Sequence, residues 1–375
     1  MEVHEQRVQF VVAARRREKS FTALCQEFAI SRPTGWLWAQ RYQQQGVAGL
    51  VERSRRPWRS PRGTAAELED KVVELRRRYP DWGARKLGVL LQREGVTLTR
   101  STIHRILLRQ DLVHPADRHQ HAVERFERAQ ANELWQMDFK SPKGWDAPVG
   151  PLSVIDDHSR YVIVLQALGS TRAELVREQL ESAFAGCGVP QAMLMDHGVP
   201  WWSWAGPQAA TTGLALWLMK QGIGLHWSGI GHPQTQGKVE RFHGELERAL
   251  RRRGWQGKPH QLWLDEFRWE HNHLRPHEAL DMSTPAARWQ PSLRVYDPQP
   301  PRWEYPEGSW VLKVDCQGKL DLAGKKRIIG RGLVGERVRL LPVDDRLQVY
   351  YCNTLIRELD LENQRSTMVE RWFSD

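Results

Sequence analysis

The stretch LWQMDFK, residues 134–140, decides the fold of this chain. Its apolar and aromatic residues surround one carboxylate, Asp138, in a pattern typical of a buried strand. A carboxylate in such a place is costly unless it binds something. We therefore expect Asp138 to mark a functional site at the end of the first strand of an α/β core.

Two further acids have comparable settings. Asp196 ends the apolar run QAMLMD, residues 191–196, which predicts a second strand delivering a carboxylate to the sheet edge where open α/β sheets place ligands. Glu240 lies where a polar loop enters an amphipathic helix, predicted over residues 236–252. A single acid in either setting is more often a cap or a turn residue. Placement of three acids on strand, strand and helix favours a common site.

The three acids predict a particular metal chemistry. Carboxylate oxygens without a nearby Cys or His cluster suit Mg²⁺ or Mn²⁺ rather than zinc. Two such ions about 3.5 to 4 Å apart can activate an attacking oxygen and stabilise a leaving oxygen in phosphoryl transfer. We predict that Asp138, Asp196 and Glu240 are both catalytic and metal-binding, with two ions as cofactor.

Five motifs in order carry a family resemblance: WQMDF, VIDDHSRYVIV (154–164), MDHG, GHPQTQGKVERFHG (231–244) and LRPHEALDMSTPA (274–286). Together they resemble the integrase-type core of insertion-sequence transposases related to retroviral integrases. The resemblance implies an RNase H-like catalytic core in which Asp138, Asp196 and Glu240 are the metal-binding triad. It also implies a DNA transposase that cleaves 3′ ends and transfers the strands to target DNA.

The chain departs from the family pattern after the second acid. Between Asp196 and Glu240 lie 43 residues, more than the pattern has, and DHGVPWWSWAGPQ replaces an Asp-Asn-Gly stretch ending in an aromatic. We interpret Val199–Pro207 as an insertion. Its tryptophans, Trp201, Trp202 and Trp204, either pack over the mouth of the site or stack on unpaired bases, and packing is favoured.

Composition limits the class of protein. A chain of 375 residues can form several domains, and we see no bilayer-spanning apolar run and no signal peptide. We expect a protein of the prokaryotic cytoplasm, associated with the nucleoid. The four cysteines show no pairing pattern and are expected to be buried. His114, His119 and His121 lack the cysteine pair that a structural zinc site would need.

The positive charge is concentrated in the first third of the chain. Residues 1–130 contain 25 Lys and Arg against 15 Asp and Glu, whereas residues 131–375 contain 30 against 30. A basic, helix-rich front on a neutral catalytic body is typical of a DNA-binding module attached to an enzyme. The alternative is that the charge serves solubility.

Two helix-turn-helix modules are predicted, in residues 1–50 and 64–113, joined by a basic linker, 51–63. An ordinary helical bundle with a solvated linker is the alternative. A connector, 114–131, leads to the core. Lys238 and Arg241, on either side of Glu240, either hold phosphates or are solvated helix charges. The predicted DNA-binding residues are Arg32, Thr34, Trp36, Arg53, Arg55, Arg56, Arg59, Arg62, Arg100, Ser101, His104, Arg105, Lys238 and Arg241.

The core is predicted over residues 132–293: a strand, a hairpin turning at Asp156 to Arg160, then alternating helices and strands. Asp156 and Asp157 are interpreted as structural turn residues. Residues 294–375 contain short alternating strands that predict a small β-barrel. DNA is the expected partner, with a homodimer or higher oligomer on DNA. The alternatives are a DNA-binding regulator without activity and a host nuclease of the same fold.

Overall fold

The computed structural model describes residues 3–52, 63–113, 127–142, 145, 147–202, 211–228, 236–362 and 365–368. The basic linker arginines, the three connector histidines, Trp204 and most of the glycine-rich loop before Glu240 lie outside these ranges. The chain divides into two compact units, residues 1–65 and residues 66–375.

The first unit is helical. It contains α1 (Val3–Arg16), α2 (Phe21–Glu27), α3 (Arg32–Gln45) and a 3₁₀ turn (Gly46–Leu50). Serine side chains cap the second and third helices: Ser20 Oγ accepts from Ala23 N, and Ser31 Oγ accepts from Thr34 N, each at 3.3 Å. Phe10 is fully buried among the rings and apolar side chains of the three helices.

The second unit begins with three more helices, α4 (Ala66–Arg78), α5 (Ala84–Arg93) and α6 (Arg100–Arg109). Thr99 caps α6 by accepting a hydrogen bond from Thr102 N at 3.2 Å. The side chains expected to face the interior do so, since Ile103, Ile106 and Leu107 are at most 2% exposed. The face of α6 that carries the predicted DNA contacts therefore remains outside.

A five-stranded sheet forms the core. Its strands are β1 (Leu134–Phe139), β2 (Leu152–Asp156), β3 (Val162–Gln166), β4 (Ala192–Met195) and β5 (Gly224–Trp227), in the order β3-β2-β1-β4-β5. The pairs β3-β2 and β2-β1 are antiparallel, whereas β1-β4 and β4-β5 are parallel. The helices of the core are α7 (Ala173–Cys187), α8 (Gly213–Lys220), α9 (Gly237–Arg253) and α10 (His260–Trp269). This is the RNase H-like arrangement that the sequence predicted.

The alternation of side chains along β1 assigns the two faces of the sheet. Trp135 and Met137 pack on one face with apolar residues of α7 and α8. Helices α9 and α10 form their own apolar cluster with β2 and β3 residues on the opposite face. Because successive side chains of a strand point to opposite faces, Gln136 and Asp138 lie on the α9 side.

Side chains from α10 and the π-helical turn that follows it (Glu270–Leu274) cover the free edge of β3. Asn272 Oδ1 accepts from Val162 N, and its Nδ2 donates to Val162 O, both at 2.9 Å. Gln261 makes a similar pair of bonds with Ala167 N and Leu165 O, and Arg268 donates to Ile163 O. Helical side chains thus take the place of a sixth strand and block pairing with another chain.

Replacement of Asn272 with alanine should destabilise the second unit by about 2–4 kcal/mol. The change leaves both backbone groups of Val162 buried without partners, and each such group costs roughly 1–3 kcal/mol. Chemical denaturation measures the change in the free energy of unfolding. Asn353→Ala is the control: it removes an exposed bond to Gly222 O, which keeps a second donor in Arg294 Nη2, and a local bond from Thr354 Oγ1, and should change stability by no more than about 1 kcal/mol. Equal effects of the two variants would contradict the role of Asn272.

The C-terminal strands form a five-stranded antiparallel sheet of order β12-β11-β10-β9-β6 and a two-stranded ribbon, β7-β8. The strands are β6 (Trp310–Lys313), β7 (Lys319–Leu322), β8 (Lys325–Ile328), β9 (Arg337–Val343), β10 (Arg346–Tyr351), β11 (Thr354–Asp360) and β12 (Arg365–Met368). Short 3₁₀ turns occur at Glu278–Leu280, Pro285–Ala287 and Arg331–Leu333. The sequence predicted that this small antiparallel domain is a barrel. Among the described residues, the two end strands of the sheet, β12 and β6, are not paired with each other.

The C-terminal sheet shares its apolar core with the catalytic core. Val314 and Leu333 belong to the same buried cluster as Trp217 of α8. At Gly332 an added Cβ would lie 2.0 Å from Thr211 O, so the two domains meet backbone to backbone there. Lys220 of α8 also pairs with Glu336 at 2.8 Å.

A buried ion network joins the second helical module to α9. It consists of Asp81, Glu245, Arg253, Glu270 and Arg275. Two arginines hold Asp81, with contacts of 2.5 and 2.8 Å. Burial alone would raise the pKa of Asp81, but the arginines lower it below its usual range. The module is therefore fixed to the helix that carries Glu240.

The structure also tests two smaller sequence expectations. Asp156 accepts bonds from Ser159, as expected of a turn residue, and from Asn132 N, whereas Asp157 accepts from the more distant Arg128 N and Gln136 Nε2. All four cysteines are free thiols. The expectation of burial is confirmed for Cys25 and Cys352, whereas Cys187 is only half-buried. It is wrong for Cys316, which is exposed in the polar turn between β6 and β7. In the described part of the chain, every helix is too short or too polar to cross a lipid bilayer.

Candidate active site

Adjacent parallel strands bring Asp138 and Asp196 to the same edge of the sheet. Gln136 of β1 pairs with Leu194 of β4. Each acid lies two residues further along, at the carboxyl end of its strand. Both side chains are half-buried. This is the edge where open α/β sheets place ligands.

The side chain of His243 lies against Asp138. Its Nε2 makes a 3.0 Å hydrogen bond with Ser153 Oγ, and its Nδ1 is 3.7 Å from Asp138 Oδ2. Ser153 is the residue that faces Asp138 across the β1-β2 pair. Burial, followed by the charge of Lys140, lowers the pKa of His243 to about 3. The imidazole is therefore neutral at physiological pH.

The carboxylate of Asp196 is held by the loop that follows it. Trp201 Nε1 donates to Asp196 Oδ1 at 2.8 Å, and Gly198 N donates to the same oxygen at 2.9 Å. The indole of Trp201 is 2% exposed and stacks on Phe139, with 5.7 Å between ring centroids. Trp202 is also buried, against Trp227. These two tryptophans pack, as the sequence favoured.

Glu240 lies in the first turn of α9, which packs on β1 and β2. Val239 N donates to Gln136 Oε1 at 3.3 Å and so ties this turn to the strand that carries Asp138. The Glu240 side chain is exposed, and it is near enough for its charge to act on Asp138. Its position at a helix N-terminus is favourable for a negative charge.

The other two acids contribute to the ionisation of Asp138. The pKa of Asp138 is raised to about 7, first by burial, then by the charge of Asp196 and, to a smaller extent, by that of Glu240. A hydrogen bond from the Phe139 backbone opposes this rise. Burial also raises the pKa of Glu240. A bound cation would relieve the repulsion among these carboxylates.

The donor set has the chemistry for Mg²⁺ or Mn²⁺, since it consists of carboxylate oxygens without a thiolate. Within the residues that the structure describes, no three His, Cys, Asp or Glu side chains are placed closely enough to hold a metal ion. Asp138 and Asp196 converge, whereas Glu240 is exposed. Its unburied side chain can change rotamer without displacing a packed neighbour.

The predicted DNA-binding residues have different settings. On α3, Arg32 is exposed, and Trp36 is 61% exposed with its ring tilted on Phe21, whereas Thr34 is half-buried beside its cap. Arg241 is exposed, but Lys238 forms an ion pair with the buried Asp157. On α6, the predicted residues Arg100, Ser101, His104 and Arg105 are all exposed. The linker arginines Arg53, Arg55, Arg56, Arg59 and Arg62 lie outside the described residues.

Sequence reasoning missed His243, Ser153 and the bond from Trp201. His243 follows Glu240 by three residues, so helical spacing puts both on one face, and this signal could have found it. Ser153 required the strand register. The bond from Trp201 required the path of the inserted loop, which has no sequence pattern.

Five known domain families match this chain. A helix-turn-helix domain matches residues 6–57, and a homeodomain-like domain matches residues 34–107. Integrase core domains match residues 128–233 and 221–285. The C-terminal domain of IS481 family transposases matches residues 309–367.

Two individual relatives are insertion-element proteins. The insertion element IS407 31.7 kDa protein of Burkholderia multivorans is 25% identical over 228 residues, which cover 58% of this chain and 79% of that protein. The insertion element IS476 39.2 kDa protein of Xanthomonas euvesicatoria is 23% identical over 248 residues, covering 64% and 69%. Among solved structures, the integrase catalytic core domain of HTLV-2 in complex with magnesium has a TM-score of 0.34 and 15% identity, covering 43% of this chain and 97% of that chain.

Proposed function

Because this chain belongs to the insertion-sequence transposases with an integrase-type catalytic core, we propose that it binds the terminal inverted repeats of its element, cleaves the DNA at their 3′ ends and transfers the strands to target DNA. The observation that supports this most directly is the convergence of Asp138 and Asp196 at one sheet edge, with Glu240 close enough to raise the pKa of Asp138.

Asp138, Asp196 and Glu240 are the proposed ligands of two Mg²⁺ or Mn²⁺ ions. When bound, such ions supply Lewis-acid stabilisation of phosphate charge and lower the pKa of an attacking water. Other side chains of the protein hold the elements that carry these ligands in place. Gln136 and His243 hold the first turns of α9, which carry Glu240, against the strands β1 and β2.

DNA binding is proposed for the exposed residues of α3 and α6. In a helix-turn-helix module, the N-terminal residues of the recognition helix contact base edges. Arg32 and Trp36 occupy that part of α3, and Arg100, Ser101 and His104 occupy that part of α6. The linker arginines and Arg241 are proposed to contact phosphates. Lys238 would have to leave Asp157 to do so.

Joining two ends of one element requires two sites, so we propose a homodimer or higher oligomer on DNA. The protein would work in the bacterial cytoplasm, where the DNA of the element lies.

An assay with end DNA tests the proposal. The inverted repeats flanking the gene provide a labelled duplex, and the purified full-length protein is incubated with it in Mg²⁺ or Mn²⁺. We expect a nick at the 3′ end of the repeat, its loss in EDTA and its return on adding metal. Specific binding without a nick in either metal would instead support a DNA-binding regulator. Nicking without preference for the repeat would support a nuclease.

A further inference from the structure

The loop after β4, residues 197–202, is fastened at several points. Trp202 N donates to Gly198 O at 3.0 Å, and Thr212 Oγ1 donates to Trp201 O at 3.2 Å. Thr212 is itself the cap of α8. The first tryptophan of the inserted segment is thus brought back to the sheet edge rather than extended into solvent.

Trp201 links the two aspartate-bearing strands. Its Nε1 and Gly198 N both donate to Asp196 Oδ1. A carboxylate oxygen has two lone pairs, so these two donors occupy Oδ1 and leave Oδ2 for another ligand. The indole ring stacks on Phe139 with an angle of 12° between the planes, and Phe139 directly follows Asp138.

We propose that Trp201 is a positioning residue for Asp196: its indole N–H fixes the carboxylate rotation so that Oδ2 is presented to the divalent cations. This inference rests on the proposed function. The terminal torsion of an aspartate is broad and is otherwise weakly determined. Hydrogen-bond partners of metal ligands commonly set ligand orientation, and their loss costs about 10–100-fold in metal affinity or activity.

Gly198 provides independent support. An added Cβ at this position would lie 2.8 Å from Asp196 Oδ1 and 3.0 Å from Oδ2. The backbone of Gly198 can donate to the carboxylate only because no side chain stands between them. Gly198→Ala should therefore turn the carboxylate away by a route that leaves Trp201 in place.

The test is Mn²⁺ binding by the full-length protein on end DNA, measured by electron paramagnetic resonance of free Mn²⁺. Trp201→Phe keeps an aromatic ring for stacking but removes the N–H. We expect it to raise the Mn²⁺ dissociation constant about 10-fold or more, with a similar rise for Gly198→Ala. Trp202→Phe is the matched control, since its ring packs on Trp227 and His197, and should stay within about twofold of wild type. Circular dichroism confirms folding.

The outcomes separate the two hypotheses. Wild-type affinity in Trp201→Phe or in Gly198→Ala would overturn the positioning role while leaving the proposed function intact. An equal loss in Trp202→Phe would show that packing, rather than the N–H donor, matters, and would also overturn it. Absence of Mn²⁺ binding in the wild-type protein would overturn the metal site and the role of Trp201 together.

Discussion

Replacement of Asp138 with asparagine should lower the rate of Mg²⁺-dependent nicking of end DNA by roughly 10³-fold or more. The amide removes a negative ligand from the proposed metal site, where charge stabilisation is worth several kcal/mol. Each 1.4 kcal/mol or so corresponds to a tenfold change in rate. Single-turnover cleavage of labelled end DNA measures the effect. Asp196→Asn and Glu240→Gln should give losses of the same order.

Binding of end DNA should survive these changes, because the proposed recognition helices α3 and α6 carry none of the three acids. Gel-shift titration provides this measurement. Asp265→Asn is the control, since Asp265 is a partly exposed acid of α10 that pairs with Arg268, and its nicking rate should equal that of the wild type. Persistent nicking and strand transfer in all three acid variants would refute the assignment of the site.

Replacement of Arg275 with alanine should destabilise the second unit by about 3–5 kcal/mol, the usual result of removing one partner of a buried ion pair. The Arg275 side chain is 3% exposed and contacts Asp81 at 2.8 Å and Glu245 at 3.3 Å. After the change, Glu245 would be left buried near His271 and Lys86 without its strongest partner. Equilibrium unfolding in urea gives the change in free energy.

Arg288→Ala is the matched control for this prediction. Arg288 pairs with Asp281, whose side chain is 92% exposed, and with Glu127. Such pairs are worth roughly 0–1 kcal/mol because water and salt screen them. If the two arginine variants unfold at the same urea concentration, the ion network does not stabilise the unit.

The features of the fold that depend on local pattern could be predicted from the sequence. The spacing of apolar residues within a segment indicates whether that segment is a strand or a helix. It predicted the strand that carries Asp138, the strand that ends at Asp196 and the helix that carries Glu240. The inward side chains of α6 follow from the same periodicity. The resemblance to integrase cores then implied that these elements form an RNase H-like core.

Contacts between distant segments could not be predicted in this way. Arg275 and Asp81 are 194 residues apart along the chain, and Asn272 lies 110 residues from the strand edge that it covers. The residue type does not indicate the partner in either case, because arginine and asparagine are ordinarily exposed. The burial of both became visible only with the fold.

The ion network also limits how this protein could be recombined with its relatives. A chimera could take residues 66–113 alone from a relative, in order to change the DNA sequence that the protein binds. The exchanged module would place a different residue opposite Arg253 and Arg275 unless the donor also has an acid at the position of Asp81. A graft without that acid would bury two guanidinium groups with fewer counter-charges. Productive chimeras should therefore come from donors in which the module and the catalytic helix are inherited together.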